Sequence, residues 1–157
     1  MDRIWAPWRM NYILESKTKG CLFCNKQREK EDKKNFIVWQ GKRTFVILNI
    51  YPYNNGHLMV VPCRHSGDLD GLTSAELTEL MSVVKKAVKV LRKILKPHGF
   101  NIGINIGKVS GAGVPGHVHV HVVPRWEGDT NFMPVVGNTK VICQSLDSLY
   151  KDIKKNW

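Results

Sequence analysis

The sequence predicts an α+β fold, built as one domain over residues 1–157 with an antiparallel sheet of about five strands and one long helix. Short β-rich runs lie on both sides of a single long amphipathic segment, so strands and helices do not alternate as they do in parallel α/β proteins. Turn-forming residues separate neighbouring runs. The chain of 157 residues is 43% hydrophobic and 24% charged, which is enough apolar material for a core of its own.

The strands are predicted from apolar runs that end in glycine, proline or asparagine. The runs are FIVW (36–39), TFVILNI (44–50), HLMVVP (57–62), NIGINIG (101–107) and HVHVHVV (117–123). The turn YPYNNG (51–56) contains residues that tolerate a positive φ. A glycine-rich loop, GKVSGAGVPG (107–116), leads into the last run.

The long helix is predicted from Ser74 to about Lys96. Thr73 and Glu76 have the spacing of a capping box, and Pro97 ends the pattern. Apolar residues at three- and four-residue spacing predict one buried stripe; they are Leu77, Leu80, Met81, Val84, Val88, Leu91 and Leu95. The lysine-rich segment 17–35 is expected to be loop and turn, and the tail 125–157 to hold a short helix near Leu146–Ile153.

The net charge of +11 favours anionic partners such as nucleic acid, phospholipid or nucleotide phosphates. Many of the basic residues have the spacing of a solvated helix face, so the charge alone does not choose among these partners. No apolar run approaches the roughly 18–20 residues that a membrane span needs. Asp2, Arg3 and Arg9 interrupt the apolar core that a signal peptide requires, so we expect a cytoplasmic protein without a membrane partner.

Cys21 and Cys24 form a Cys-x-x-Cys pair, which in a chain without an export signal indicates metal binding or redox chemistry more than a disulfide framework. A structural zinc site needs four ligands. The other two cysteines do not form a second such pair, so histidines would have to complete the site. The alternative is a pair of buried, reduced thiols.

Three of the six histidines lie at positions 117, 119 and 121, each separated from the next by a valine. In a strand these three side chains share one face at a spacing of roughly 6.6 Å, while the valines point the other way into the core. A row of imidazoles can hold a metal, or one imidazole can act as a nucleophile with its neighbours as proton donors. The His-x-His zinc site of amidohydrolases is excluded because its barrel needs about 200 residues or more.

The run HVHVHVV resembles the signature of the histidine triad superfamily of nucleotide hydrolases and transferases. ILNIYPYNNGHLMVVPCRH (47–65) is similar to the strand pair that precedes the triad in that family. RIWAPWRMNYI with CLFC, and PRWEGDTNFMP after the triad, resemble the diadenosine tetraphosphate phosphorylase-like branch. The resemblance covers nearly the whole chain.

The resemblance implies a catalytic role for three histidines. His119 corresponds to the nucleophile that forms a covalent nucleotidyl-histidine, and His121 to the residue that contacts the scissile phosphate and assists the leaving group. His57 corresponds to a fourth active-site histidine on a neighbouring strand. Asn49 occupies the position that hydrogen-bonds the ribose, and 46–48 would help to form the slot for the base.

The phosphate-binding residues are less well defined by the resemblance. Asn105 is the best side-chain candidate near the phosphates, and Gly111 and Gly113 would let backbone N–H groups approach anionic oxygens. The glutamine and hydroxyl that the fragile-histidine-triad type places before the triad are missing here, so backbone amides, Ser110 or Lys108 would replace them. Residues that follow the triad could meet distal phosphates or a second base; they are Arg125, Trp126 and Asn131.

The zinc-bearing relatives imply that Cys21, Cys24, His65 and His117 hold a structural zinc, which would tether the N-terminal segment 1–35 to the sheet. His119 and His121 then stay free for catalysis. The implied assembly is a homodimer whose sheet continues across the two-fold axis.

The implied reaction is cleavage of a nucleoside 5′-phosphate linkage, with diadenosine polyphosphates such as diadenosine tetraphosphate as substrates and phosphate or water as acceptor. An alternative enzyme is an adenosine 5′-phosphoramidate hydrolase. A third reading, from a different class, is a non-catalytic nucleic-acid-binding protein. The basic residues are not interleaved with aromatic side chains as a stacking platform requires, which argues against nucleic acid as a partner.

Overall fold

The computed structural model describes residues 20–137 and 140–157. Within them the helices are α1 Leu22–Glu29, α2 Ser74–Leu95, α3 Met133–Val136 and α4 Leu146–Asn156, with a short 3₁₀ turn at Lys108–Ser110. The strands are β1 Ile37–Gln40, β2 Thr44–Leu48, β3 Leu58–Pro62, β4 Gly99–Ile104 and β5 Val120–Arg125.

The five strands form one sheet in the order β1-β2-β3-β5-β4, and every neighbouring pair is antiparallel. The long helix α2 lies between β3 and β4 along the chain, so the sequence returns to the sheet at its far edge and β5 fills the gap. The predicted α+β architecture with five antiparallel strands and one long helix is therefore confirmed. The predicted single domain extends into residues 1–19, which lie outside the described residues, as does the RIWAPWRMNYI motif.

Both faces of the sheet are covered. Along β2, Val46 and Leu48 belong to the large core beneath α2 and α4, whereas Phe45 and Ile47 belong to a second cluster on the opposite face. All five residues of β2 and all five of β3 are buried. Because successive side chains of a strand point to opposite faces, burial of every position means that each face packs against another element.

The long helix begins and ends almost where its sequence predicts. The capping box is formed, since Thr73 accepts from the backbone N–H of Glu76 and the Glu76 carboxylate accepts from the backbone N–H of Thr73. The predicted stripe is wrong at Met81, which is 54% exposed. The core-facing side is shifted around the helix because its 3.6-residue period also brings in Val83, Ala87 and Val90.

Element boundaries differ from the predictions at several points. Residues 22–29 form α1 rather than a loop, with Phe23 buried and most of the polar side chains partly or fully exposed. Strand β4 begins at Gly99 instead of residue 101. Strand β5 begins at Val120, so His117 and His119 lie in the extended approach to the strand, where Val118 donates its N–H to the Ser66 carbonyl.

In the part of the chain that the structure describes, no helix combines the length and the apolar character that crossing a membrane requires.

Candidate active site and metal cluster

The three histidines of the row are buried on the face of the sheet opposite α2. Their exposed fractions are 0% for His117, 3% for His119 and 8% for His121. The intervening Val118 and Val120 belong to the core under α2, so the predicted division into a valine face and a histidine face is observed. Because a buried polar group must find hydrogen-bond partners, each imidazole has to be accounted for.

His57 and His121 form a directed pair. His57 lies just before β3, and its Nε2 is 2.9 Å from Nδ1 of His121 on β5. The backbone N–H of Tyr53 donates to His57 Nδ1 at 3.1 Å, so that nitrogen is the acceptor and Nε2 carries the proton. His57 therefore donates to Nδ1 of His121, and the neutral His121 ring must carry its own proton on Nε2.

His119 has the opposite tautomer. Its Nδ1 is 2.9 Å from the carbonyl oxygen of His117, and because a carbonyl only accepts, Nδ1 carries the proton. Nε2 is then left with a lone pair. The Phe23 ring of α1 packs against the imidazole, with centroids 5.0 Å apart, and fixes its orientation from the side.

Burial keeps these imidazoles neutral. Burial, together with the neighbouring rings of His121 and His119, lowers the pKa of His57 to about 3. Burial and His119 lower the pKa of His121 to about 4. Burial also lowers the pKa of His119, although its hydrogen bond to the His117 carbonyl opposes the shift. Near pH 7 the row therefore supplies one imidazole with a free lone pair beside one that can donate a proton.

A cavity of about 520 Å³ opens beside His119 and His121, and its lining is mostly apolar. Five predicted substrate-binding positions line it in addition to these histidines: Ile47 and Leu48 of the base slot, Asn49 for the ribose, and Gly111 and Gly113 of the loop. The Asn49 Oδ1 also accepts from the Tyr51 N–H at 2.9 Å, so it caps the turn as well.

The loop before the triad brings two glycines, Gly111 and Gly113, and the apolar Val114 to the cavity. Gly107 and Gly111 have φ of 78° and 87°, which non-glycine residues rarely adopt. The Ser110 hydroxyl donates back to the Gly107 carbonyl at 2.8 Å, within the loop itself. Of the two side chains considered as replacement donors, Ser110 is thus engaged in holding the loop shape.

Other predicted residues lie outside this cavity lining, namely His57, Asn105, Arg125 and Trp126. The Arg125 guanidinium is paired with Asp129 at 2.6 Å and also donates to Asn101. The Trp126 indole N–H donates to the Leu95 carbonyl. Contacts of Arg125, Trp126 or Asn131 with distal phosphates stay a prediction, as does the role of Asn105.

The four predicted metal ligands meet in one cluster. One ligand atom from each of Cys21, Cys24, His65 and His117 lies within 4.8 Å of the others. His117 Nδ1 lies 3.3 Å from Cys21 Sγ and 3.3 Å from His65 Nδ1. His65 Nδ1 lies 3.5 Å from Cys24 Sγ. A tetrahedral zinc with Zn–N of ~2.0–2.1 Å and Zn–S of ~2.3 Å requires edges of roughly 3.3–3.8 Å, so the residues fit this metal.

Two further contacts orient the histidines of the cluster. His117 donates from Nε2 to the Pro62 carbonyl at 2.9 Å, which leaves Nδ1 unprotonated toward the thiols. His65 follows Arg64, whose guanidinium makes a two-point contact with Glu76 at 2.7 and 2.9 Å. That hydrogen bond from Arg64, with those from Thr73, lowers the pKa of Glu76 to about 2. The segment carrying His65 is thus fastened to the start of α2.

Several residues that line the cavity were not predicted from the sequence, most of them on or near α1 and the 51–56 turn. They are Leu22, Phe23, Lys26, Asn35, Ile50, Tyr51, Tyr53 and, on β3, Met59. The segment 17–35 was expected to be loop, so no helix with a side turned toward the triad was predicted there. The Cys-x-x-Cys pair was the available signal, because bringing both cysteines to His117 necessarily brings Phe23 to His119.

Comparisons with known proteins agree with this geometry. A model of the HIT domain matches residues 30–128. An AP-4-A phosphorylase of Mycobacterium tuberculosis (strain CDC 1551 / Oshkosh) is 40% identical over 165 aligned residues, covering 100% of this chain and 85% of that protein. A bis(5′-nucleosyl)-tetraphosphatase [asymmetrical] of Schizosaccharomyces pombe is 38% identical over 93 residues, which cover 59% of this chain and 50% of that protein.

Solved structures show the same fold. A hypothetical histidine triad nucleotide-binding protein from Sulfolobus tokodaii matches with a TM-score of 0.70 and 29% identity, over 87% of this chain and 91% of that one. A zinc-bound histidine triad family protein from Mycobacterium smegmatis matches with a TM-score of 0.71 and 24% identity, over 87% and 92% of the two chains. With the family model matching more than half of its length and a relative aligned to all of it, the chain belongs to the HIT domain family.

Proposed function

We propose that this protein cleaves a nucleoside 5′-phosphate linkage through a covalent nucleotidyl-His119 and that its substrates are dinucleoside polyphosphates such as diadenosine tetraphosphate. One observation carries the proposal: the His119 tautomer. The His117 carbonyl holds the proton on Nδ1 at 2.9 Å, which leaves the Nε2 lone pair of a cavity-lining imidazole available to attack phosphorus.

In the first step, Nε2 of His119 bonds to the α-phosphorus and the bond from that phosphorus to its bridging oxygen breaks. The departing oxygen belongs to ATP when the substrate is diadenosine tetraphosphate, and the chain retains AMP on His119. In the second step, inorganic phosphate attacks the same phosphorus, breaks the P–N bond and leaves as ADP. Water in place of phosphate gives AMP.

His121 supplies the proton for the departing oxygen in this scheme. Its Nδ1 accepts from His57, so its remaining N–H is on Nε2, and its ring lies 4.7 Å from that of His119. His57 acts through His121 and is a positioning residue rather than a catalytic one. We propose that Asn49 contacts the ribose and that the backbone of Gly111 and Gly113 receives phosphate oxygens, since all three line the cavity.

We propose a structural zinc at the cluster of Cys21, Cys24, His65 and His117. When bound, zinc would cross-link α1, the segment after β3 and the approach to β5. The protein's own contribution to catalysis at this point is Phe23, which lies between the two cysteines in sequence and packs on both His117 and His119, at 5.4 and 5.0 Å. A metal-held α1 thus keeps the nucleophile in place without taking part in the reaction.

A homodimer and a cytoplasmic location complete the proposal. In the described sheet β4 is an edge strand with Ile102 48% exposed, so an apolar side chain is available on an unpaired edge, and Met81 on α2 is 54% exposed. Free, reduced cysteines suit a reducing compartment. Light scattering of the wild type and of Ile102→Lys tests the assembly: a dimer that becomes a monomer is expected, and a wild-type monomer contradicts it.

The reaction is tested by incubating the protein with diadenosine tetraphosphate, with and without inorganic phosphate. Phosphate-dependent formation of equal amounts of ATP and ADP supports the proposal, and ATP plus AMP without phosphate supports the hydrolytic version of it. Adenosine 5′-phosphoramidate in a parallel reaction distinguishes the alternative enzyme. No turnover of any of these substrates would contradict the proposal.

A further inference from the structure

The cavity lining includes a polar pair, Lys26 and Asn35, among apolar side chains. The neighbouring lining from α1, β2 and β3 consists of Leu22, Phe23, Ile47, Leu48 and Met59. Asn35 is only 3% exposed. Polar groups at the wall of a mostly apolar slot are the groups that orient a ligand and select it, so the pair is suited to recognise a polar edge on whatever fills the slot.

The orientation of the Asn35 amide is fixed by its partners. Its Nδ2 donates to the Glu29 carboxylate at 2.8 Å and to the Lys26 carbonyl at 3.3 Å, and both of these groups only accept. Its Oδ1 accepts from Lys26 Nζ at 3.3 Å. The pair therefore places a cationic N–H donor directly beside a carbonyl acceptor that still has a second lone pair.

The pair lies beyond the residues proposed for phosphate and ribose. Phe23 packs on His119, and Lys26 is three residues further along α1, about 4.5 Å along the helix axis. The Leu48 N–H donates to the Phe36 carbonyl, so Asn35, in the turn just before Phe36, lies near the end of β2 that leads to Asn49. With phosphorus at His119 and ribose at Asn49, the slot at Lys26 and Asn35 is where the base belongs.

We infer, resting on the proposed function, that Lys26 and Asn35 determine base specificity and select adenine. Adenine presents an acceptor, N1, beside a donor, the 6-amino group. In this placement N1 accepts from Lys26 Nζ while the amino group donates to Asn35 Oδ1. Hypoxanthine and guanine reverse the order, so the same placement sets N1–H against the ammonium and O6 against the Asn35 carbonyl. One donor–donor contact and one acceptor–acceptor contact then replace the two hydrogen bonds.

The test is a binding matrix of nucleotides against variants, measured by titration calorimetry. The nucleotides are AMP, IMP and purine riboside 5′-monophosphate, which keeps N1 but lacks the amino group. For the wild type, AMP is expected to bind about 10-fold or more tighter than IMP, the usual cost of leaving polar groups unpaired. Lys26→Met is expected to bring AMP and IMP within about twofold of each other, and Lys26→Gln, which keeps an N–H donor, to recover part of the preference.

The matched control is Lys89→Met, which removes the same charge from an exposed position of α2 and should leave the preference unchanged. An unchanged AMP-to-IMP ratio in Lys26→Met would overturn the inference. Equal weakening of all three nucleotides would overturn it too, because it would assign Lys26 to the phosphates. Absence of any nucleotide binding by the wild type would overturn the proposed function along with it, which separates the two failures.

Discussion

The sheet has two buried faces that differ in kind. Under α2 and α4, Val118, Val120 and Val122 pack among other apolar side chains and are at most 2% exposed. On the opposite face, His117, His119 and His121 are almost as deeply buried, yet each carries polar nitrogens that need partners. Burial of the valines stabilises the fold, whereas burial of the imidazoles costs free energy that their hydrogen bonds offset only in part. That burial keeps the imidazoles neutral and in defined tautomers. The alternation of a single strand thus separates stability from chemistry.

The largest expected effect follows from removing the nucleophile. His119→Ala should lower turnover of diadenosine tetraphosphate by about 10³-fold or more, because it removes the Nε2 lone pair that forms the covalent intermediate. Its unfolding temperature should change by less than about 4 °C, since the apolar face is untouched. Turnover and thermal unfolding measured on the same preparation check both statements, and a variant retaining a tenth of wild-type turnover would refute the assignment.

The metal cluster should give the next largest effect. Cys24→Ser removes one of four ligands, and the unfolding temperature should fall by about 10 °C, the shift that roughly 3 kcal/mol produces in a domain of this size. A chelator should have the same effect on the wild type but none on the variant. Cys143→Ser, at an exposed cysteine, is the matched control. One zinc per wild-type chain by elemental analysis is expected, and a metal-free protein with unchanged stability would count against the cluster.

A substitution on the apolar face should lower stability and leave turnover nearly unchanged, the opposite of the result expected for His119→Ala. Val122 is fully buried beneath α2, and Val122→Ala should lower the free energy of unfolding by about 2 kcal/mol through lost burial and an unfilled cavity. Turnover per folded molecule should stay within about twofold, because the side chain points away from the histidines. Chemical denaturation and initial rates check this. A large loss of turnover with intact stability would show that the two faces are not separable.

The smallest effect is a pH dependence of stability that belongs to the histidine face. The pKa of His57 is about 3 and that of His121 about 4, whereas an unfolded histidine titrates near 6.5. Below pH 6.5 the unfolded chain takes up protons that the folded chain does not, so the free energy of unfolding falls as the pH falls toward 4. At pH 5 the His57 contribution is roughly 2 kcal/mol.

His57→Gln should reduce the pH dependence of the free energy of unfolding by the contribution of His57. The glutamine side chain can still donate a hydrogen bond to His121. Denaturant unfolding of the two proteins between pH 7 and pH 4.5 makes the comparison. Parallel curves for the wild type and the variant would show that His57 is not held neutral by the fold.

The sequence predicted the structure best where residue types repeat at the spacing of a helix or a strand. The capping box at Thr73 and the alternation of histidine and valine predicted α2 and the two faces, because both patterns report local geometry directly. The metal ligands Cys21, Cys24, His65 and His117 came from resemblance, since their separation along the chain carries no distance information. Helix α1 was not predicted because its polar composition is typical of a loop. Its buried side is defined by the position of its cysteines beside His65 and His117, which the sequence pattern of α1 does not show.

The partners of the imidazoles were beyond the sequence for a similar reason. His119 is oriented by a carbonyl two residues away, and His57 by the Tyr53 N–H of a neighbouring turn. Main-chain groups are the same in every residue, so no residue type marks them. Arg125 illustrates the converse, because a conspicuous cation after the triad is engaged by Asp129 at 2.6 Å in the same loop.

The most direct measurement is rapid quenching of the protein with diadenosine tetraphosphate, followed by intact-mass and peptide-mass analysis at neutral and acid pH. We expect an increase of one AMP that maps to His119, is lost in acid, and forms and decays at least as fast as the overall turnover. Turnover without any such adduct, or an adduct carried by a different residue, would contradict the view that the buried imidazole at the middle of the row attacks phosphorus.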